Sequence, residues 1–161
     1  MHTFQEYMAL QEHEMGYGYV SVKPTAETIH IIKNLIADAG LSNAIDTSEL
    51  HMTLAYDTNN PAMKVDVSDA IITGTLAKVK MLGDALVVTV DSEDAQKRFK
   101  ELLDFGFGTD YPNFIPHISL KYDPSPEDLV DVNSVFKKYK GKTVKLYSET
   151  WEFNSGNYID S

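Results

Sequence analysis

The stretch His51-Met52-Thr53-Leu54 returns later in the chain as His117-Ile118-Ser119-Leu120, so a His-x-hydroxyl-Leu motif occurs twice. Similar tails follow the two copies, Ala55-Tyr56-Asp57 and Lys121-Tyr122-Asp123. Side chains alternate between the two faces of a strand, so each histidine shares a face with its hydroxyl residue. The apolar residues of each copy then face a core. One such tetrapeptide is weak evidence, whereas two copies with matching tails are a strong signal.

The surroundings of the two copies also repeat. The first copy follows an alternating apolar run that ends at Lys23 and a helix-like stretch from Thr25. The second copy follows a similar run that ends at Val90 and a helix-like stretch from Ser92. The number of residues from the end of each run to its motif histidine is nearly the same. An internal repeat of this kind constrains the architecture more than local propensity does. We predict one α+β domain over residues 1–161, with two repeat lobes at roughly 17–82 and 83–161.

In this bilobal fold, two antiparallel sheets are related by a pseudo-two-fold axis around a central cleft, and the helices lie on the outside. The alternating runs predict strands at 17–23, 50–56, 67–82, 85–90, 115–122 and 142–153, with a short terminal strand after a turn at 154–157. Helices are predicted from Thr25 to Gly40, from Ser92 with Ala95, Phe99, Leu102 and Leu103 inward, and from Pro126 to about Lys140.

Composition restricts the class of partner. The chain has a net charge of −10, with 24 acidic against 14 basic residues, and its one arginine is Arg98. Proteins that bind long nucleic acids usually cluster basic residues, so we expect no such partner, although a small nucleotide remains compatible with the acidic charge.

No apolar run approaches the roughly 20 residues of a membrane span, and the first residues do not resemble a secretory signal. The absence of cysteine excludes disulfides and thiolate metal sites.

The paired motifs resemble those of the 2H phosphoesterase superfamily, which includes 2′,3′-cyclic phosphodiesterases, RNA-end-processing enzymes and RNA-ligase-like proteins. Within that superfamily, the stretch 18–24 and the lone Trp151 are most similar to the phage anti-CBASS nucleases, which destroy the cyclic oligonucleotide messengers of bacterial defence. The resemblance implies a metal-independent phosphodiesterase that acts on 3′,5′ linkages of cyclic di- or trinucleotides in the cytoplasm of an infected host. It implies no cofactor, no membrane and no obligatory protein partner.

The motif itself suits acid–base chemistry at a phosphate. One neutral histidine removes a proton from the attacking hydroxyl or water, and the other, protonated, donates to the departing oxygen. His51 and His117 are the candidates, although which is acid and which is base stays open. Thr53 and Ser119 would donate hydrogen bonds to non-bridging phosphoryl oxygens. A lone strand histidine is more often structural, but the repeat favours catalysis, and no third residue supports a metal site.

The resemblance also implies a substrate-binding group. Tyr17 and Lys23 match an aromatic and a basic residue that contact the ligand in that family, and Tyr19 is the alternative to Tyr17. Trp151 matches a tryptophan suited to stacking on a base. Glu149 would accept from a base edge, with Lys145 as the competing position. Ordinary core packing is the other explanation for the two aromatic residues.

Two alternatives stay open. A 2′,3′-cyclic phosphodiesterase acting on RNA ends keeps the chemistry and changes the substrate, although the acidic charge balance weighs against RNA. A cyclic-nucleotide-binding sponge keeps the pocket without turnover, although the complete set of histidines and hydroxyls weighs against it. The preferred bases, the ring size of the substrate and the oligomeric state are not encoded in any motif of the chain.

Overall fold

Six strands and three α-helices follow one another along the chain. The computed structural model describes residues 18–57, 67–107 and 113–153. At residues 57 and 151–153 it describes the backbone but not the side chains. The elements are β1 (Gly18–Pro24), α1 (Ala26–Ala39), a 3₁₀ turn (Thr47–Glu49), β2 (Met52–Asp57), β3 (Ile72–Leu82), β4 (Ala85–Asp91), α2 (Glu93–Asp104), β5 (His117–Tyr122), α3 (Pro126–Phe136) and β6 (Thr143–Phe153). Tyr17 and the predicted terminal strand lie outside the described residues, and β3 begins five residues later than predicted.

All the strand pairs are antiparallel, and the hydrogen-bonded order is β2-β1-β6-β3-β4-β5. The strands form two matching halves, β2-β1-β6 and β5-β4-β3, which confirms the α+β bilobal fold. The two halves are joined by pairing between β6 and β3, so the predicted pair of sheets is continuous in hydrogen bonding. Although β2 and β5 are the two ends of this order, their Cα atoms come within 8 Å of each other. The strands that carry the two motifs therefore meet.

The halves of the sheet do not follow the chain order of the predicted lobes. β3 lies within 17–82 by sequence, but it pairs with β4 through a two-residue turn at Gly83-Asp84. β6 lies within 83–161, but it pairs with β1. Each half of the sheet thus takes its third strand from the other lobe of the sequence, which ties the two halves together.

The helices begin at residues that the sequence indicates. Thr25, Ser92 and Ser125 each accept a hydrogen bond from a backbone N–H in the first turn, which satisfies one of the unpaired donors of a helix start. α1 ends at Gly40, whose φ of 65° is the left-handed conformation that glycine adopts most easily. Local signals were sufficient at these ends because each cap involves residues within a few positions of each other.

One core lies between the helices and the sheet. Ile32 and Leu35 of α1, Leu102 of α2 and Val132 of α3 are fully buried against the strands. The inward face of α2 differs from the prediction in one respect, because Arg98 is buried while Phe99 is half-buried and stacks on Phe114 with ring centroids 4.5 Å apart. No helix within 18–57, 67–107 and 113–153 is long and apolar enough to span a membrane.

Candidate active site

The two motif copies lie at the ends of the strand order, where β2 and β5 approach each other. Met52 and Leu54, like Ile118 and Leu120, are almost fully buried in the core. The residues that alternate with them are half-buried on the other face; these are His51, Thr53, His117 and Ser119. The predicted alternation of faces is therefore confirmed in both copies.

Both motif strands contain a β-bulge at the same place in the repeat. In β2, Leu54 is the extra residue, because Val20 and Ser21 of β1 pair with Ala55 and Thr53. In β5, Leu120 is the extra residue between the pairs Leu86 with Lys121 and Val87 with Ser119. A bulge bends a strand and changes the direction of its side chains. The leucine of each motif therefore forms a bulge directly after the hydroxyl residue, a feature that the sequence alone does not indicate.

Each histidine is held by the backbone two residues before it. The Nδ1 atom of His51 lies 2.9 Å from the carbonyl oxygen of Glu49, and that of His117 lies 2.8 Å from the carbonyl oxygen of Ile115. A carbonyl oxygen only accepts, so Nδ1 carries the proton in both rings. The Nε2 atom is then the one that accepts a proton in the neutral ring and donates it in the charged ring. Both copies thus present the same nitrogen for chemistry.

The two histidines are close enough to affect each other. The pKa of His117 is lowered from its ordinary value, first by burial and then by the charges of His51 and Lys80, while the bond to Ile115 opposes this shift. His117 is consequently neutral near pH 7 and able to accept a proton.

A backbone hydrogen bond also links the two motif regions. The N–H of Ile45, in the segment before the first motif, donates to the carbonyl oxygen of Leu120 in β5 at 2.8 Å.

Tyr19 belongs to the first half of the site. Its hydroxyl lies 3.2 Å from Oγ1 of Thr53, and its ring meets that of His51 edge-on with centroids 6.3 Å apart. Tyr17 is outside the described residues. Tyr19, the alternative aromatic residue on this strand, therefore contacts both polar members of the first motif.

Two lysines extend the second half of the site. Across the strands, Lys78 pairs with Thr89 and Thr89 with His117, while Lys80 pairs with Val87 and Val87 with Ser119. Directly paired residues of antiparallel strands have their side chains on the same face. Sequence reasoning missed these lysines, although their spacing of two within a predicted strand was a usable signal.

The remaining predicted binding residues have different outcomes. Lys23 is exposed on β1, in register with Tyr147. Trp151 pairs through its backbone with Val20, and its side chain lies outside the described part of the structure. Lys145, the alternative to Glu149, is exposed on β6. The substrate contacts of Lys23 and Trp151 stay predictions.

Glu149 does not have the open carboxylate that a base-edge acceptor needs. Its side chain is only 2% exposed, and its two oxygens accept from Nε and Nη2 of Arg98, both at 2.8 Å. The backbone N–H of Ser68 donates a third bond at 2.8 Å. A bulge before Glu149, where Ser148 has a φ of 58°, accompanies this inward position. We therefore reassign Glu149 to a buried ion pair, whose signal in the sequence was the lone arginine at a core position of a helix.

No group of three or more side chains that could hold a metal ion is found among residues 18–57, 67–107 and 113–153. The side chains that the structure brings together at the candidate site are two imidazoles and two hydroxyls, with Tyr19 on one side and the two lysines on the other.

The architecture is similar to that of solved 2H phosphoesterases. The Escherichia coli LigT structure in complex with 3′-AMP superposes with a TM-score of 0.53 at 17% identity, covering 86% of this chain and 87% of LigT. TT0787 of Thermus thermophilus superposes with a TM-score of 0.50 at 12% identity, covering 84% and 83%. With the paired motifs, this likeness shows that the chain has the 2H-phosphoesterase-like fold.

The model of the anti-CBASS protein Acb1 family matches residues 17–153, and the chain belongs to that family. The Acb1 protein of Escherichia phage RB16 is 27% identical over 97 residues, covering 58% of this chain and 56% of that protein. The protein of Salmonella phage S16 is 25% identical over 128 residues, covering 74% and 80%. The chain thus spans little more than half the length of the RB16 relative and most of the S16 relative.

Proposed function

We propose that this chain is a phosphodiesterase that hydrolyses 3′,5′ linkages of cyclic di- or trinucleotides without a metal ion. One observation carries the proposal. The two halves present His51 and His117 in the same way, with Nδ1 bound to a backbone carbonyl and Nε2 left for proton transfer. Two such imidazoles beside two hydroxyls form an acid–base pair around one phosphate-sized site.

The lowered pKa of His117 supports its assignment as the base. His117, whose pKa is lowered, is the base that removes a proton from the attacking water or ribose hydroxyl. His51 then donates its Nε2 proton to the departing ribose oxygen as the phosphorus–oxygen bond breaks. Each role is worth a factor of about 10² to 10⁴ in rate.

The hydroxyls of Thr53 and Ser119 complete the arrangement. Each lies two residues after a histidine on the same strand face, so each donates a hydrogen bond to a non-bridging phosphoryl oxygen. Charge on these oxygens grows toward the transition state, and preorganised donors stabilise it most there. The bulges at Leu54 and Leu120 occur directly beside these two residues.

The family context supports the substrate class. Family membership and the curated relatives point to counter-defence in an infected bacterium, where the messenger is a cyclic oligonucleotide. The enzyme would act in the host cytoplasm. Tyr19 or Tyr17, Lys23 and Trp151 would contact the bases and phosphates, with stacking on Trp151 worth about 1–3 kcal/mol.

A substrate panel tests the proposal. The protein is incubated in EDTA with cyclic dinucleotides, cyclic trinucleotides and 2′,3′-cyclic mononucleotides, and the products are separated by chromatography. Turnover of cyclic oligonucleotides that persists in EDTA is the expected result. Turnover of only the mononucleotides would favour the RNA-end enzyme, binding without turnover would favour the sponge, and activity restored by Mg²⁺, Mn²⁺ or Zn²⁺ would point to metal-assisted chemistry.

The matched control is the double variant His51→Ala/His117→Ala, which removes both proton-transfer groups and whose fold is checked by circular dichroism. Product formed equally by the control and the unchanged protein would come from a contaminating nuclease and would refute the assignment of the activity to this site.

A further inference from the structure

A groove of about 670 Å³ lies beside the His117 end of the candidate site. It is bounded by β3, the end of β4, the first turns of α2 and residues 114–116. Four lysines line it: Lys78, Lys80, Lys97 and Lys100. Neither candidate histidine lines the groove, so it is a neighbouring space. We call it the lysine groove.

One wall of the lysine groove is the segment that positions His117. The carbonyl oxygen of Ile115 accepts from Nδ1 of His117, and that of Phe114 accepts from the Gln96 side chain of α2 at 2.9 Å. Phe114 also stacks on Phe99 of the same helix. A ligand in the groove would therefore lie directly against the peptide that holds His117.

Two lysines of the groove share cross-strand rows with residues of the second motif. Lys78 and Lys80 lie in the same cross-strand rows as His117 and Ser119, two strands away. At about 4.8 Å between neighbouring strands, the backbones of these rows are roughly 10 Å apart. The charge of Lys80 also contributes, after burial and the charge of His51, to lowering the pKa of His117.

The charge of the groove is opposite to that of the chain. Its lining holds four lysines against Asp91 and Glu93, in a protein with a net charge of −10. None of the four lysines forms an ion pair with a residue of the described structure, whereas Lys121 is paired with Asp128 at 2.8 Å. Unpaired ammonium groups that converge on a cavity attract an anion, and lysine binds phosphate as a point charge.

We infer that the lysine groove binds the phosphate of the substrate that is not being cleaved. This inference rests on the proposed function. A cyclic oligonucleotide carries a further phosphodiester on another side of its sugar–phosphate ring, and this phosphate lies beyond the catalytic pair when the first is attacked. A terminal 2′,3′-cyclic mononucleotide has no second phosphate. The groove thus distinguishes substrates by the number of phosphates.

The test uses the full chain with Lys97→Gln/Lys100→Gln, because these two lysines are on α2 and away from the strands that carry the histidines. The control is Lys33→Gln/Lys137→Gln, which makes the same charge change at exposed positions of α1 and the end of α3. Both variants are assayed with a cyclic dinucleotide and a 2′,3′-cyclic mononucleotide, each at low and high salt.

The groove variant should raise KM for the cyclic dinucleotide about tenfold relative to the control variant, with a much smaller effect on the mononucleotide. Its KM should also depend less steeply on salt, because fewer counterions are released on binding. Equal KM values for the groove and control variants would overturn the inference while leaving the proposed function intact.

A binding measurement keeps the two proposals separable. The dissociation constant of the cyclic dinucleotide is measured by calorimetry in a His117→Ala background, with and without Lys97→Gln/Lys100→Gln. Binding that weakens about tenfold supports the groove even if the unchanged protein proves to be a sponge. Binding that does not change, or no binding of the cyclic dinucleotide at all, refutes it.

Discussion

The two halves of the sheet share a backbone design but differ in what surrounds it. In both, a histidine is tied to the carbonyl oxygen two residues earlier, a hydroxyl residue follows, and a bulged leucine comes next. The first half adds Tyr19 against Thr53 and His51. The second half instead adds Lys78 and Lys80, in the rows of His117 and Ser119.

Under the proposed function, this difference allows a duplicated motif to supply two unlike roles, an acid and a base. An acid and a base of the same residue type must differ in protonation state, and identical surroundings would give them the same state. Burial and the charges of His51 and Lys80 favour the neutral form of His117, whereas the feature specific to His51 is the ring of Tyr19 edge-on beside it. The repeat supplies the geometry and the neighbouring strands supply the asymmetry.

Removing either histidine should have the largest effect. His51→Ala and His117→Ala should each lower kcat by at least about a hundredfold, because each removes one proton-transfer role. Affinity for the cyclic nucleotide should largely persist. Steady-state kinetics and calorimetry measure the two quantities. Near-normal turnover in both variants would mean that the paired motif is structural.

Breaking the buried ion pair between Arg98 of α2 and Glu149 of β6 should cause the largest loss of stability. Glu149→Ala leaves Arg98 charged, buried and without this partner, which should lower the free energy of unfolding by about 3–5 kcal/mol. The control is Glu101→Ala, which removes a 3.4 Å contact of the same arginine at a carboxylate that is 48% exposed, and should cost less than about 1 kcal/mol. Urea unfolding compares the two, and equal costs would show that the buried pair does not stabilise the domain.

Removing a hydroxyl from either motif should have the next largest effect on turnover. Thr53→Val and Ser119→Ala should each lower kcat about a hundredfold, since each removes one donor to the transition state. Thr53→Ser and Ser119→Thr keep the hydroxyl and should retain most of the activity. If Thr53→Val and Ser119→Ala raise KM and leave kcat unchanged, the hydroxyls bind the substrate in the ground state instead.

Tyr19→Phe tests the feature that is specific to the first half. It removes one hydrogen bond to Thr53, at 3.2 Å, and keeps the ring beside His51. A single such bond contributes about 1 kcal/mol, so kcat/KM should fall roughly fivefold. Tyr147→Phe, at an exposed position on β6, is the control and should have no effect. A loss as large as that of the histidine variants would place Tyr19 in the chemistry itself.

Lys80→Gln should have the smallest effect on the chemical step and should move the pH profile of kcat/KM, while the loss of a lysine from the groove is read separately as a rise in KM. The positive charge of Lys80 lowers the pKa of His117, so its removal raises that pKa. The base form of His117 then requires a higher pH, and the acidic limb of kcat/KM should move to higher pH. Lys97→Gln also removes a lysine from the groove but is not among the charges that lower this pKa, so its acidic limb should not move. An unshifted limb in Lys80→Gln would contradict the assignment of His117 as the base.

The sequence by itself determined most of the secondary structure and the candidate reacting groups. Alternation of period two places each histidine and its hydroxyl on one strand face, and helix ends follow from caps such as Ser92 and Gly40. These features depend on residues a few positions apart. The repeat adds the one long-range fact that sequence can show directly, that the chain uses the same strand twice.

Only the tertiary structure decided how the halves are joined and what makes them different. The pairing of β6 with β1, the ion pair between Glu149 and Arg98, and the cross-strand row that runs from Lys80 to Ser119 all join residues far apart in the chain. A one-residue shift in register changes the face of every later side chain, and no local pattern records where a bulge occurs. For this reason the candidate catalytic residues and their shared strand face were predictable from the sequence, whereas the groove and the asymmetry between the two histidines were not.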